Sequence, residues 1–272
     1  MTEPAHALPQ GFDGTLVAGA LDAALAAGER TPVMGIAGLQ GSGKSTLAAQ
    51  VAALGLCRGL RVAVVSLDDF YLGRDRRLQL AREVHPLLAT RGPPGTHDLP
   101  LALATMARLR DGADVVLPRF EKLADDLAPR AQWPLIEGRC DLVILEGWFL
   151  QTPPEDAEAL RDPLNDLERL DDADGRWRQY CNTALARDYP PLWESIDALW
   201  FLQGPGFEVI PEWRWQQEQA LQAADPMRKG MSRSEVERFV QFFERVSRQA
   251  LRTLPAIADR TVPLDRQRNS AR

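Results

Sequence analysis

Apolar residues recur at helical spacing at Leu16, Val17, Ala20, Leu21, Ala24 and Leu25, which predicts a short helix after a polar lead-in. The pattern then changes. Val33-Met34-Gly35-Ile36-Ala37-Gly38 is a continuous apolar run closed by glycine, as expected of a strand buried on both faces. Lys44 to Leu56 predicts a helix with Leu47, Val51 and Leu54 on one side, and Arg61 to Leu67 a second strand that ends at Asp68-Asp69. The clearest strand is Asp141-Leu142-Val143-Ile144-Leu145-Glu146, in which an apolar run is capped by a carboxylate. Another strand is expected at Ile196 to Leu202, and short ones at Val115 to Pro118 and Thr261 to Leu264. Further helices are expected over Pro100 to Arg110, about 208–224 and about 232–252. The acidic, proline-interrupted stretch 151–190 predicts helix in pieces. Residues 72–100 lack clear periodicity at their end and hold Arg91-Gly92-Pro93-Pro94-Gly95-Thr96-His97-Asp98, a loop with strong turn chemistry. A second polar loop is expected up to about Glu137.

Strands alternating with helices define an α/β fold, a parallel sheet covered by helices on both faces. In such sheets ligands bind beyond the carboxyl ends of the strands. Asp68, Glu146 and the glycine-rich turn after Gly38 all fall at such ends.

Composition narrows the function classes. The 272 residues are 45% hydrophobic and 26% charged, the profile of a globular chain, with a formal charge of -6. An acidic chain has no net field with which to hold a nucleic-acid backbone. No apolar run approaches the ~18 residues of a membrane span. The first residues, Met1 to His6, lack a basic stretch leading into an apolar one, so a cytoplasmic location is expected. Cys57, Cys140 and Cys181 lie far apart and give neither a disulfide framework nor a metal knuckle; three buried thiols are expected. The chain has 29 arginines but only three lysines, Lys44, Lys122 and Lys229. Where arginine has replaced lysine almost everywhere, a surviving lysine marks a place where a compact ammonium on a flexible stem is needed.

Lys44 sits in Gly38-Leu39-Gln40-Gly41-Ser42-Gly43-Lys44-Ser45-Thr46, which fits G-x-x-x-x-G-K-[ST]. Glycines let such a loop curl so that its amides face phosphate oxygens, and the following helix adds its N-terminus. Lys44 is expected on the β- and γ-phosphates of a nucleoside triphosphate and Ser45 on Mg²⁺. The competing reading is a glycine-rich turn with an incidental lysine. Ser66-Leu67-Asp68-Asp69-Phe70-Tyr71 ends the next strand, where Asp68 can accept a hydroxyl proton or merely cap a helix. Glu146 is a candidate Mg²⁺ ligand, directly or through water.

The ordered strings GLQGSGKST, SLDDFYL, RGPPGTHD, LPRFEK and LEGWFL resemble the P-loop small-molecule kinases that include uridine kinase, phosphoribulokinase and pantothenate kinase, with the D-glycerate 3-kinase branch nearest. The likeness runs over roughly residues 33–265 and continues through Trp213 to Glu218 and Arg266-Gln267-Arg268-Asn269. It implies a single kinase domain over 1–272, with a core of about 31–203 and 255–268 and a helical lid region of about 204–252. It implies Asp68 as general base, Asp69 as a Mg²⁺ or acceptor ligand, and Glu146 as the metal carboxylate. Tyr71, Arg91, His97, Asp98, Arg119 and Lys122 are implied acceptor contacts. The chain lacks the arginine-dense lid helix of the nucleoside kinases and has Trp213 and Trp215 there, so Arg214, Arg228 and Lys229 all remain candidates for the cation on the transferring phosphoryl group. The acceptor expected is a small hydroxy acid such as D-glycerate. The same chemistry on a nucleoside, pantothenate or another sugar acid, and a nucleotide-dependent binding module, stand as alternatives.

Overall fold

The computed structural model describes residues 11–270 except Glu29, Pro226, Arg228 and Lys229. Two of the lysine and arginine candidates for the lid, Arg228 and Lys229, therefore lie outside the described residues, as does the N-terminal stretch Met1 to His6. The chain runs α1 (Gly14–Ala26), β1 (Val33–Gly38), α2 (Lys44–Cys57), β2 (Val62–Ser66), α3 (Arg74–Glu83) and α4 (Leu99–Arg110). Short pieces follow: β3 (Val115–Val116), β4 (Phe120–Glu121), β5 (Asp126–Leu127) and β6 (Leu135–Ile136). Then come β7 (Leu142–Gly147), α5 (Asp166–Asp171), α6 (Arg176–Arg187), α7 (Pro190–Trp193), β8 (Ala198–Gln203), α8 (Ile210–Ala224), α9 (Arg233–Ile257) and β9 (Arg260–Pro263).

Five strands form one parallel sheet in the order β2-β7-β1-β8-β9. Every residue of β1 and β7 is buried, which is why both read as unbroken apolar runs. Alternate side chains serve opposite faces. Val33, Ala37, Val143 and Leu145 pack with α4 and α7 on one side, while Met34, Ile36, Leu142 and Ile144 pack with α1 and α2 on the other. Helix α9 contributes to both layers, Val236 and Val240 to one and Phe243, Ala250 and Leu254 to the other. The register sets Ser66 of β2 opposite Glu146 of β7, and Ile36 of β1 against the same glutamate. The strand ends thus bring residues 38, 66 and 146 to one edge.

Three departures from the sequence pattern have physical causes. The stretch before the Arg91–Asp98 loop, for which the sequence predicts no element, contains α3, a helix whose one buried side chain is Arg77, so no apolar stripe announces it. Val115–Val116 does not join the main sheet; it pairs antiparallel with Leu135–Ile136. The second expected loop contains the hairpin β4–β5, whose two-residue strands are too short for any alternation to register. Cys140 and Cys181 are buried, but Cys57, at the end of α2, is exposed. None of the described helices is long and apolar enough to cross a membrane.

Candidate active site

The turn after β1 is shaped by its glycines. Gly41 and Gly43 take φ of 76° and 92°, a region where other residues are strained, and a Cβ at Gly41 would stand 3.0 Å from that of Trp213. Gly43 is also the N-cap of α2 and offers no side chain to its first amides, which leaves them open to an anion. Two buried side-chain oxygens of the turn, Gln40 Oε1 and Ser42 Oγ, have no hydrogen-bond partner among the described residues. Lys44 Nζ donates to Leu39 O at 3.1 Å, folding back over the loop. Burial lowers its pKa, against the opposing pull of Glu146 and Asp68.

At the floor of the same crevice Glu146 Oε1 accepts from Ser45 Oγ at 3.0 Å and from Ser66 Oγ at 2.8 Å. Two hydroxyls and a carboxylate are hard oxygen donors, and a cluster of this chemistry fits Mg²⁺. Ser66 Oγ also accepts the Asp68 amide at 3.3 Å, so it begins the 3-10 turn Leu67–Phe70 that carries the next carboxylate.

Asp68 lines the crevice with both carboxylate oxygens engaged. Tyr71 OH donates to Oδ1 at 2.6 Å and Lys122 Nζ to Oδ2 at 2.7 Å. Burial pushes this carboxyl up, but the Lys122 charge, the hydrogen bonds from Lys122 and Tyr71, and Lys44 outweigh it and hold the group at about 2. The same pairing raises Lys122. Burial, with the charge of Asp68, drives the Tyr71 phenol well above its ordinary value.

The crevice has a volume of about 970 Å³ and runs from the glycine-rich turn to the β4–β5 hairpin. Gln40, Gly41, Gly43, Lys44, Ser45, Thr46, Asp68, Tyr71, Arg91, Lys122, Glu146 and Arg214 all line it. Arg91 pairs with Asp125 and lies 5.5 Å from the Phe120 ring centroid. Arg214 reaches in from α8, where it pairs with the buried Glu218 at 3.1 Å.

Other sequence candidates serve the walls. Asp69 is turned to the hairpin: its carboxylate accepts from Arg119 Nη1 at 2.7 Å and from the Phe120 amide at 3.2 Å, so neither Asp69 nor Arg119 lines the crevice. Asp98 is the N-cap of α4 and accepts from the Leu101 amide at 3.0 Å. His97 is buried behind Tyr71, with ring centroids 4.8 Å apart and Nδ1 2.7 Å from Tyr189 OH. Burial, opposed by the charge of Asp68, pushes its pKa down to about 3.

Several residues here escape a reading of sequence alone. Ser66 stands two positions before Asp68, and a hydroxyl at a strand end beside a suspected metal carboxylate was the available signal. Arg77 is fully buried and ties three segments together through Leu72 O at 3.0 Å, Ala89 O at 2.6 Å and Asp125 O at 2.5 Å. Its charge also pairs with the Asp125 carboxylate at 3.0 Å. It thus holds together the stretches that bear Tyr71, Arg91 and Lys122. Arg268 lines the crevice beside Trp213, 5.2 Å from that ring centroid, and takes a φ of 67°. The string Arg266 to Asn269 marked the place without indicating a role.

A phosphate-shaped glycine turn, a metal-type carboxylate and a second carboxylate facing a deep crevice, all on the carboxyl edge of a parallel sheet, define a P-loop kinase. Sequence comparison agrees. The chain is 34% identical over 226 residues to "Uncharacterized kinase mug58" of Schizosaccharomyces pombe, covering 78% of each protein. It is 31% identical over 238 residues to the chloroplastic D-glycerate 3-kinase of Arabidopsis thaliana, 82% of this chain but 48% of that protein, so it spans about half of that relative's length. Among solved structures, the D-glycerate 3-kinase of Cryptococcus neoformans matches with a TM-score of 0.79 and 25% identity, over 96% of this chain and 99% of that one. The YGR205w protein matches with a TM-score of 0.70 and 26% identity, over 90% and 89%. Residues 16–70 also match the family model of the methylmalonyl-CoA mutase-associated GTPase MeaB, a stretch confined to most of α1, β1, the glycine turn, α2, β2 and the turn after it. The chain belongs to the P-loop kinase family that contains mug58, and it is a kinase.

Proposed function

We propose that the protein transfers the γ-phosphoryl group of ATP to a primary hydroxyl of a small hydroxy acid, D-glycerate or a close analogue. The observation that carries this reading is the Asp68 carboxylate, held by Lys122 and Tyr71 on the wall of the crevice that the glycine turn and Lys44 also line. The turn amides and Lys44 take the phosphates. Ser45 and Glu146 are the residues that would hold Mg²⁺, which when bound supplies charge neutralisation along the phosphate chain. Asp68 orients the acceptor hydroxyl and takes its proton. In a loose transition state the attacking oxygen gives up that proton late, so even a weakly basic carboxylate serves. Arg91 and Lys122 offer the cations that an acceptor carboxylate requires. Arg214, with α8 and α9 acting as a lid over the core, supplies charge to the transferring group and excludes water. Asp69, His97, Asp98 and Arg119 fit this scheme as supports of the acceptor wall rather than as contacts.

The names of the Arabidopsis and Cryptococcus relatives support D-glycerate as the first acceptor to test. An ADP-release assay across hydroxy acids, nucleosides and pantothenate, with ATP and GTP as donors, is the direct experiment. Saturable release with D-glycerate is expected. Saturable release with uridine and none with D-glycerate overturns the acceptor assignment.

A further inference from the structure

Lys122 is spent on Asp68 in the structure, yet it is built to move. Its side chain is 60% exposed, and it opens the turn 122–125 between β4 and β5. The turn itself is fixed, because Asp125 is bound through its carbonyl to Arg77 and through its carboxylate to both Arg77 and Arg91. Arg91, held by Asp125 of this turn, and Lys122 at its start therefore line one crevice, and the charge of Arg91 acts against that of Lys122. Two like charges facing shared space make that space receptive to an anion.

We propose that Lys122 changes partners in the reaction cycle: it holds Asp68 in the free enzyme and the acceptor's carboxylate in the ternary complex. This rests on the acceptor being a hydroxy acid, as inferred above. Departure of the ammonium opens Asp68 Oδ2 to the acceptor hydroxyl. The hydroxyl oxygen then forms its bond to the γ-phosphorus while its proton passes to Asp68. The bond from phosphorus to the bridging oxygen breaks, and its electron pair leaves with ADP. An alcohol without an anionic group leaves Lys122 where it stands, and the site stays blocked. Lys122 would thereby select carboxylate-bearing acceptors by releasing the base only to them.

The test compares D-glycerate with glycerol, which has the reacting hydroxyl but no carboxylate, in the wild type and in Lys122→Met, which removes the ammonium but keeps an unbranched, flexible stem. Thermal melting confirms that the variant is folded. In the variant the KM for D-glycerate is expected to rise at least tenfold, while kcat for glycerol rises severalfold above the wild-type value. A glycerol kcat that is unchanged or falls along with that for D-glycerate overturns the exchange and leaves Lys122 as a simple cation of the site. Wild-type enzyme that ignores D-glycerate but phosphorylates an uncharged alcohol overturns the acceptor assignment itself, and the exchange with it. That failure is read from the wild type alone and so is distinct from the first.

Discussion

Two adjacent aspartates at the end of β2 have different fates, and a single turn of backbone separates them. The 3-10 turn at Leu67–Phe70 sends Asp68 into the crevice and Asp69 to the Arg119 guanidinium. Asp68→Asn keeps the shape of the side chain but cannot take a proton. It is expected to cut turnover at least ~10²-fold while nucleotide affinity stays nearly unchanged, as steady-state kinetics and calorimetric ATP titration would register. His97 gives a different signal, in stability. It is held neutral by burial, with a pKa of about 3 against 6.5 for the free side chain. Above pH 6.5 it is neutral whether the chain is folded or not, and its contribution is complete. Below that the unfolded chain takes up a proton that the folded one refuses, so stability falls as pH drops toward about 3, with a limiting slope of ~1.4 kcal/mol per pH unit. Denaturation midpoints between pH 7 and pH 4 are expected to fall, and His97→Gln, which retains a polar side chain beside Tyr189, is expected to flatten that decline.

Among elements, α3 supplies Arg77, which ties the β4–β5 hairpin to the segments that bear Tyr71 and Arg91. Arg77→Met strands the carbonyls of Leu72, Ala89 and Asp125 and leaves Asp125 with one cation fewer. A loss of about 2–4 kcal/mol in urea denaturation is expected, together with a raised KM for the acceptor and little change in that for ATP. These two elements are also where a reading of sequence falls short. Strands β1 and β7 are legible because they are buried on both faces, and a short, continuous apolar run bounded by turn residues suits a strand between two helical layers. Helix α3 is anchored by one charged side chain, and a buried arginine looks in sequence like any of the other arginines. The glycine turn, Asp68 and Glu146 were legible because their residue types sit at strand ends, where an α/β sheet gathers ligands. Asp98 was not, since a helix cap and a ligand carboxylate share the same loop chemistry. The pairing of Arg91 with Asp125 hangs on a backbone φ of 55° at Asp125, which no local pattern announces.

At the scale of the molecule, Trp213 ties the helical region to the nucleotide side. It is 1% exposed, lies against Gly41 and donates its Nε1 hydrogen to Arg266 O at 2.9 Å. It therefore joins α8, the glycine turn and the C-terminal segment. Trp213→Ala is expected to cost about 3–5 kcal/mol by denaturation and to weaken ATP binding in titration more than it raises the acceptor KM. The two halves of the crevice also differ in how they are written along the chain. The groups that the proposed function gives to the nucleotide come from scattered places along the chain: Gln40 to Thr46, Glu146 and Arg214. The groups that the proposed function gives to the acceptor, from Asp68 to Asp125, come from one uninterrupted stretch that leaves the sheet after β2 and returns before β7. On the proposed function, one contiguous graft of residues 68–125 between relatives exchanges the preference for one alcohol over another while the glycine turn, Glu146 and Arg214 stay in place.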